Sequence, residues 1–289
     1  MIQIYIKFIK FNYWMSIITL TTDYGNKDYY VSSLKAKLIS NVDNVKIIDI
    51  SHEISPFNLT EAGYVLEGAF SRFPKGTIHI LSVDSEITPE NKHIAIMYND
   101  YYFIGADNGV FSLIFKDKKP EKIYKINLHS SYNYKISADE LFVEVASHIT
   151  RSGPLNVVGS EIDSIKEIKN LRPVVNKEEN QIIGSVIYID NYGNVITNIT
   201  EKLFRNIAKT RPFTINARNV KFSVIHKNYS DAIDFNLEKK DREEDGKKLA
   251  IFNNLGYLQL SIYRSNPQTV GSASSLFGLN YRDVVSIYF

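Results

Sequence analysis

Between residues 16 and 83 short apolar runs alternate with helical patterns, and this alternation restricts the possible folds more than any other feature of the chain. "SIITLT" (16–21) reads as a strand, and "KDYYVSSLKAKLIS" (27–40) then sets Val31, Leu34 and Leu38 at helical spacing. "VKIIDI" (45–50) is a second strand, "NLTEAGYVLEGAFSRF" (58–73) a second helix and "TIHILSV" (77–83) a third strand. A βαβαβ rhythm predicts an α/β fold, Rossmann-like, with a mostly parallel sheet and helices on its faces. Two further strands over 93–105 pair about the turn dipeptide Asn99-Asp100. A helix over 137–150 opens with Ser137 as N-cap and Glu140 three residues on, the spacing of a capping box.

From about residue 151 to 180 the periodicity loosens around Gly153, Pro154 and "NKEENQ", which places a domain boundary there. The expected organisation is an N-terminal α/β domain over 16–170 and a C-terminal, mainly β domain over 180–289. In the latter, β-branched and aromatic runs separated by turn residues suggest a small barrel or sandwich. The charge-dense stretch 227–248 is expected to be an exposed loop.

Composition removes several function classes. Lys+Arg 34 against Asp+Glu 32 leaves a formal charge of +2, which offers no electrostatic reason to expect nucleic acid. The absence of cysteine excludes a thiol nucleophile, disulfides and Cys-based metal sites, and suits a cytoplasmic location. Lys7 and Lys10 interrupt the apolar N-terminus, and no run of about twenty apolar residues follows, so no membrane partner is expected. Residues 1–14 read as an extension upstream of Met15.

Three polar clusters stand where strands end. "TTDYGNKDYY" (21–30) offers Asp23, able to accept two hydrogen bonds from a ribose diol, and Gly25, which permits close backbone approach. An aspartate after a strand is equally a helix cap, and neither GxGxxG nor a P-loop is present. "DISHEISPFN" (49–58) supplies Asp49 and His52, which with Asp23 would make a metal site only at poor spacing. An ordering hydrogen-bond network is the better reading there. "YIDNYGNVITNIT" (189–201) sets Asp190 beside amide side chains, a pattern suited to the ammonium and carboxylate of an amino acid and equally to a hairpin turn.

Together, "TTDYGNKDYYVSSLKAK", "IIDISHEI", "FPKGTIHILSVD", "ADNGVFSL", "YIDNYGNVITNI" and "NNLGYLQLSI" resemble, in order and spacing from Ser16 to Phe289, the S-adenosylmethionine (SAM) hydroxide adenosyltransferases, relatives of the bacterial fluorinase and chlorinase. The resemblance implies an N-terminal α/β domain followed by a C-terminal β-barrel. It also implies a homotrimer that binds SAM between the N-domain of one subunit and the C-domain of its neighbour. SAM would be the substrate, with no cofactor or metal. Asp23, in the family's TDxG motif, would hold the ribose hydroxyls, with Tyr24 beside it. Asp190 and Asn194 of the D-x-F-G-N motif would contact the methionine amino group, Tyr192 replacing the phenylalanine. Asn253 and Asn254 are further binding candidates, and Leu255 stands where the fluorinase has an arginine.

The implied chemistry is displacement at ribose C5′, with the sulfonium leaving as a neutral thioether; positioning and exclusion of bulk water supply much of the catalysis. A water nucleophile also needs a polar group to orient it or take its proton. Hydrolytic members carry a run resembling V-D-P-G-V-G-T-x-R-R, whose aspartate and first arginine join a histidine to hold that water. In "VDSEITPENKH", Asp84 keeps the aspartate; Asn91 and Lys92 fall on the arginines, and Ser85-Glu86 replace Pro-Gly. The family run F-H-G-R-D-I-F matches "ISADELF", which places Ser137 at the histidine. The expected activity is hydrolysis of SAM to adenosine and L-methionine, with Asp84 aided by Asn91 and Ser137. The alternative is a SAM- or adenosine-binding protein with little or no catalysis. A metal-dependent hydrolase on Asp23, Asp49 and His52 ranks last.

Overall fold

A computed structural model describes residues 15–128, 136–168, 172–242, 244 and 246–289. The proposed extension, residues 1–14, lies outside the described residues. The chain divides into two compact units, one ending at Glu167 and the other beginning at Ile168.

The first unit runs β1 (Ser16–Thr22), α1 (Tyr30–Asn41), β2 (Val45–Ser51), α2 (Leu59–Phe70), β3 (Ile78–Ser82), β4 (His93–Tyr98), β5 (Tyr101–Ala106), α3 (Val110–Phe115), β6 (Lys122–Ile126), α4 (Ala138–Thr150) and β7 (Gly159–Glu161). Its sheet has the order β2-β1-β3-β5-β4-β6-β7. The expected mostly parallel sheet is corrected here. The β2-β1, β1-β3 and β3-β5 pairs are parallel, whereas β5-β4, β4-β6 and β6-β7 are antiparallel, so the sheet is mixed. The switch occurs at the β4–β5 hairpin, whose turn residues Asn99 and Asp100 both take positive φ (53° and 61°). That conformation matches the right-handed twist of the paired strands.

Two layers cover the sheet. Ile18, Leu20, Ile78, Ile80, Ala95 and Ile104 face α1 and α4, where Leu34, Leu38, Phe142 and Val145 complete a core. Leu81, Val83, Ile94, Ile96 and Phe103 face α2 and α3 and pack on Leu66, Phe70 and Phe111. Strand alternation explains this division, and burying each such side chain stabilises the fold by roughly 1.5–3 kcal/mol. Because α1 leads from β1 to β2 on one face and α2 leads from β2 to β3 on the other, with β1 between those two strands, the crevice beyond the carboxyl ends of β1 and β3 lies at a topological switch, where ligands of α/β sheets bind.

The second unit contains β8 (Val174–Val175), β9 (Gln181–Ile189), β10 (Val195–Thr200), α5 (Glu201–Ala208), β11 (Thr214–Ala217), β12 (Val220–Phe222), β13 (Lys248–Phe252), β14 (Tyr257–Ile262), α6 (Ala273–Phe277) and β15 (Val284–Tyr288). Its antiparallel sheet has the order β12-β11-β15-β9-β10-β14-β13, with β8 on β9. A bridge between His226, shortly after β12, and Ile251 on β13 nearly closes it into a barrel. Ile182, Val186, Val195, Leu258, Leu260, Val285 and Ile287 fill the interior. Among the described residues no helix is long and apolar enough to cross a membrane.

Candidate active site

At its carboxyl edge the α1/α4 face of the first sheet turns from apolar to polar. Ile18 and Leu20 of β1 are followed on that face by Thr22, and Ile78 and Ile80 of β3 by Ser82; Ala95 of β4 is preceded by His93. Thr22, Ser82 and His93 are almost wholly buried, and buried polar groups need hydrogen-bond partners. Thr22 Oγ1 pairs with His52 Nδ1 at 2.8 Å, Ser82 Oγ with the Tyr24 hydroxyl at 2.7 Å, and His93 Nε2 with the Ser85 carbonyl at 2.8 Å. Each pair ties a loop at this edge to the rigid sheet.

Asp23 and Tyr24 leave β1 in the loop before α1. Gly25 takes φ 65°, and its N–H donates to the His52 carbonyl at 2.7 Å, fastening this loop to the end of β2. Asp23 Oδ2 accepts the Phe57 N–H at 3.0 Å, while Oδ1 has no partner among the described residues. Phe57 holds φ 61° and is 72% exposed. Exposed Tyr29 and Tyr30 pack together at 4.6 Å between centroids, and Tyr30 lies 5.9 Å from the Tyr24 ring. A carboxylate with a spare oxygen among exposed rings suits a polyol attached to a flat base. Phe57 escaped the sequence reading, although its place beside Asn58, the α2 cap, was visible.

Asp49 and His52 do meet: Asp49 Oδ1 lies 3.0 Å from His52 Nε2, and Asp49 Oδ2 accepts from Lys35 at 2.5 Å. Partial burial would raise the Asp49 carboxyl, but hydrogen bonds from Lys35 and His52 outweigh it and hold it below the usual carboxylate range. Asp23 is engaged with Phe57 instead, and no group of three metal-ligating side chains converges among the described residues.

Asp84 follows β3 with φ 48°, a left-handed conformation that costs an ordinary residue about 1–2 kcal/mol. Two hydrogen bonds hold it there. The buried Asn108 amide donates to the Val83 and Asp84 carbonyls at 3.0 and 3.1 Å, while its own oxygen accepts the Val110 N–H at the start of α3. Asp84 as a residue is half-buried. Further along the loop, Thr88 Oγ1 accepts the Asn91 N–H at 2.9 Å, and the half-buried Asn91 amide makes no hydrogen bond with a described residue. Ser137 is exposed and caps α4: its Oγ accepts the Glu140 N–H at 3.3 Å, and Glu140 accepts the Ser137 N–H at 3.2 Å. No hydrogen bond joins Asp84 to Asn91 or Ser137 among the described residues.

Asp139, the second residue of α4, was not singled out by the sequence. The Tyr24 hydroxyl donates to its Oδ1 at 2.7 Å, with Ser82 Oγ 3.4 Å away. Burial pushes the Asp139 carboxyl above the usual range, and hydrogen bonds from Tyr24 and Ser82 with the Lys37 charge offset only part of this. Burial and then the facing Asp139 charge push the Tyr24 hydroxyl well above an ordinary phenol. Nothing local signals this cluster, because its members are 57 and 115 residues apart.

In the second unit, Asp190 closes the β9–β10 turn. Its Oδ1 accepts the Tyr192 and Asn194 N–H groups at 2.9 Å each, and its Oδ2 accepts the Asn194 side-chain amide at 2.8 Å. Gly193 takes φ 71° in this turn, and a Cβ there would fall 2.2 Å from Ser272. Tyr192 is exposed. Nearby, Tyr229 receives the Gln259 amide at 2.5 Å and lies 3.3 Å from Ser261 Oγ. Asn253 and Asn254 form the β13–β14 turn, and Asn253 Oδ1 accepts the Leu255 and Tyr257 N–H groups. Since Val195 pairs with Leu260 and Thr200 with Tyr257, this turn and the Asp190–Asn194 turn stand at opposite ends of the β10–β14 ladder.

Comparison with known proteins matches residues 18–159 to the SAM hydroxide adenosyltransferase N-terminal domain and residues 184–286 to the corresponding C-terminal domain. The chain is 29% identical over 287 residues to the (R)-S-adenosyl-L-methionine hydrolase of Methanocaldococcus jannaschii, covering 95% of this chain and 97% of that one. A fluorinase of Nocardia brasiliensis is 21% identical over 213 residues, covering 63% of this chain and 71% of that enzyme. An uncharacterized conserved protein of Thermotoga maritima superposes with a TM-score of 0.76 at 27% identity, covering 94% of this chain and 100% of that structure. With both domains matched in order, this chain belongs to the SAM hydroxide adenosyltransferase family.

Proposed function

We propose that the protein hydrolyses SAM to adenosine and L-methionine by attack of water at ribose C5′. Relatives named as SAM hydrolases support this, one of them along the whole chain. The observation that carries it is Asp84: a carboxylate at the family's water-holding position, set on a left-handed backbone that Asn108 secures. Asp23 accepts the ribose diol, with Tyr24 and Phe57 beside it. Asp84 orients the water and the Asn91 amide supplies a second contact to it, while Ser137, at the family's histidine position, serves as the cap of α4. Asp190 and Asn194 receive the methionine amino group beside Tyr192, and a ligand also reaching Asn253 and Asn254 would lie along the β10–β14 ladder. SAM is the substrate, no resident cofactor is involved, and the working assembly is a cytoplasmic homotrimer with the ligand at a subunit interface.

A second reading, binding of SAM or adenosine without turnover, is favoured by one observation: the oxygen of Ser137, at the family's histidine position, is engaged in capping α4, and no imidazole stands there. Incubating the purified protein with SAM, with and without chloride and fluoride, separates the readings. Adenosine and methionine are the expected products. SAM recovered intact but bound supports the second reading, and a halogenated adenosine contradicts both.

A further inference from the structure

The hydrogen bonds around Tyr24 have a direction. The Tyr24 hydroxyl donates to Asp139 Oδ1 and so accepts in its 2.7 Å contact with Ser82, whose single proton is shared between that short contact and a longer one to Asp139 Oδ1 at 3.4 Å. The result is an ordered chain, Ser82 to Tyr24 to Asp139, ending on a carboxylate whose Oδ2 has no partner among the described residues. It runs between the two functional loops: Tyr24 adjoins Asp23, and Ser82 stands two residues before Asp84. The matching family run F-H-G-R-D-I-F has an arginine at the place of Asp139 and a histidine at that of Ser137, so this chain has lost an imidazole and gained an acid within one turn of α4.

We propose that Asp139 is the proton acceptor of the hydrolytic reaction, reached through the hydroxyls of Ser82 and Tyr24. The inference rests on the hydrolase reading. As the water oxygen bonds to C5′, the C5′–S electron pair leaves with sulfur, which becomes a neutral thioether. The surplus water proton enters Ser82 Oγ, the Ser82 proton passes to Tyr24, and the Tyr24 proton passes to Asp139 Oδ1. The sulfonium charge and the carboxylate charge disappear together, and no tyrosinate forms. Asp139 then returns the proton to solvent.

The charged and titratable groups facing Asp139 are Tyr24 from the β1–α1 loop, Lys37 from α1 and Glu140 on α4; Asp23 faces Tyr24. Burial outweighs their combined effect and raises the carboxyl, so the acceptor form is lost on acidification earlier than for an exposed carboxylate.

The test compares kcat, KM and kcat–pH profiles for SAM hydrolysis by wild type, Asp139→Asn and Tyr24→Phe, with SAM binding followed by calorimetry. Asp139→Asn should lower kcat about a hundredfold, the scale of a lost proton acceptor. It should also remove the acid limb of the profile while leaving SAM affinity within about threefold of wild type. Tyr24→Phe should lower kcat in the same way, and formate should restore part of the activity of Asp139→Ala. An Asp139→Asn enzyme with wild-type kcat and an intact acid limb overturns the proposal and leaves the hydrolase reading standing. A wild-type protein that releases no adenosine overturns both.

Discussion

The side-chain amide of Asn108 holds Asp84 in place from 24 residues away, donating to its carbonyl at 3.1 Å and to the preceding Val83 carbonyl at 3.0 Å. Asn108 is buried, and its oxygen simultaneously starts α3, so the strained exit of β3 is anchored to a second element. Replacing Asn108 by Ala orphans buried carbonyls and should cost about 1–3 kcal/mol, read by urea denaturation. It should also lower kcat more than SAM affinity, because Asp84 is freed to relax.

Asp23→Ala removes the acceptor oxygen proposed to take the ribose diol together with the anchor of Phe57. SAM affinity should fall at least about a hundredfold, the loss of two charge-assisted hydrogen bonds at roughly 1.5–3 kcal/mol each. Calorimetry showing unchanged affinity would remove Asp23 from the site.

Ser137→Ala deletes the cap of α4. It should destabilise the protein by about 0.5–2 kcal/mol. Because its oxygen is already spent on the Glu140 N–H, kcat should stay within about threefold of wild type at temperatures where the variant is folded. A large loss of kcat without loss of stability would return Ser137 to the water site.

Asp139 should carry a stability cost that depends on pH. A carboxyl raised in the folded state destabilises the fold wherever it is ionised; the cost is absent below the ordinary carboxylate range and grows as pH rises through the raised value. Asp139→Asn keeps an acceptor for Tyr24 and should melt no lower than wild type at neutral pH. That advantage should shrink as pH falls and disappear below the ordinary carboxylate range, at about pH 3. Thermal melts at the two pH values check this; a variant that melts lower at neutral pH contradicts it.

What the sequence made legible was local. The βαβαβ rhythm, the Asn99-Asp100 turn and the Ser137–Glu140 capping box each involve residues within a few positions of one another, and all three are present. The antiparallel hairpin of β4 and β5 could be read from its turn, but the placing and direction of β6 and β7 could not, because a strand's own alternation says nothing about which neighbour it joins or which way it runs. Helix α5 was missed inside a β-rich region, although Leu203, Phe204, Ile207 and Ala208 recur at helical spacing behind the Thr200 cap. Asp23 and Asp84 could be picked out because motifs mark them. Asn108, Ser82 and Asp139 could not: their parts in the site exist only once β3, the β1–α1 loop, α3 and α4 meet at one sheet edge.

The central claim is that water, held by Asp84, attacks C5′ of SAM. The most direct measurement is turnover of SAM in ¹⁸O-labelled water by wild type and Asp84→Asn, with the products weighed by mass spectrometry. Adenosine carrying one heavy oxygen at the 5′ position alongside unlabelled methionine is the expected result, with the rate falling about a hundredfold in the variant. Unlabelled or halogenated adenosine, or an Asp84→Asn enzyme as fast as wild type, would contradict it.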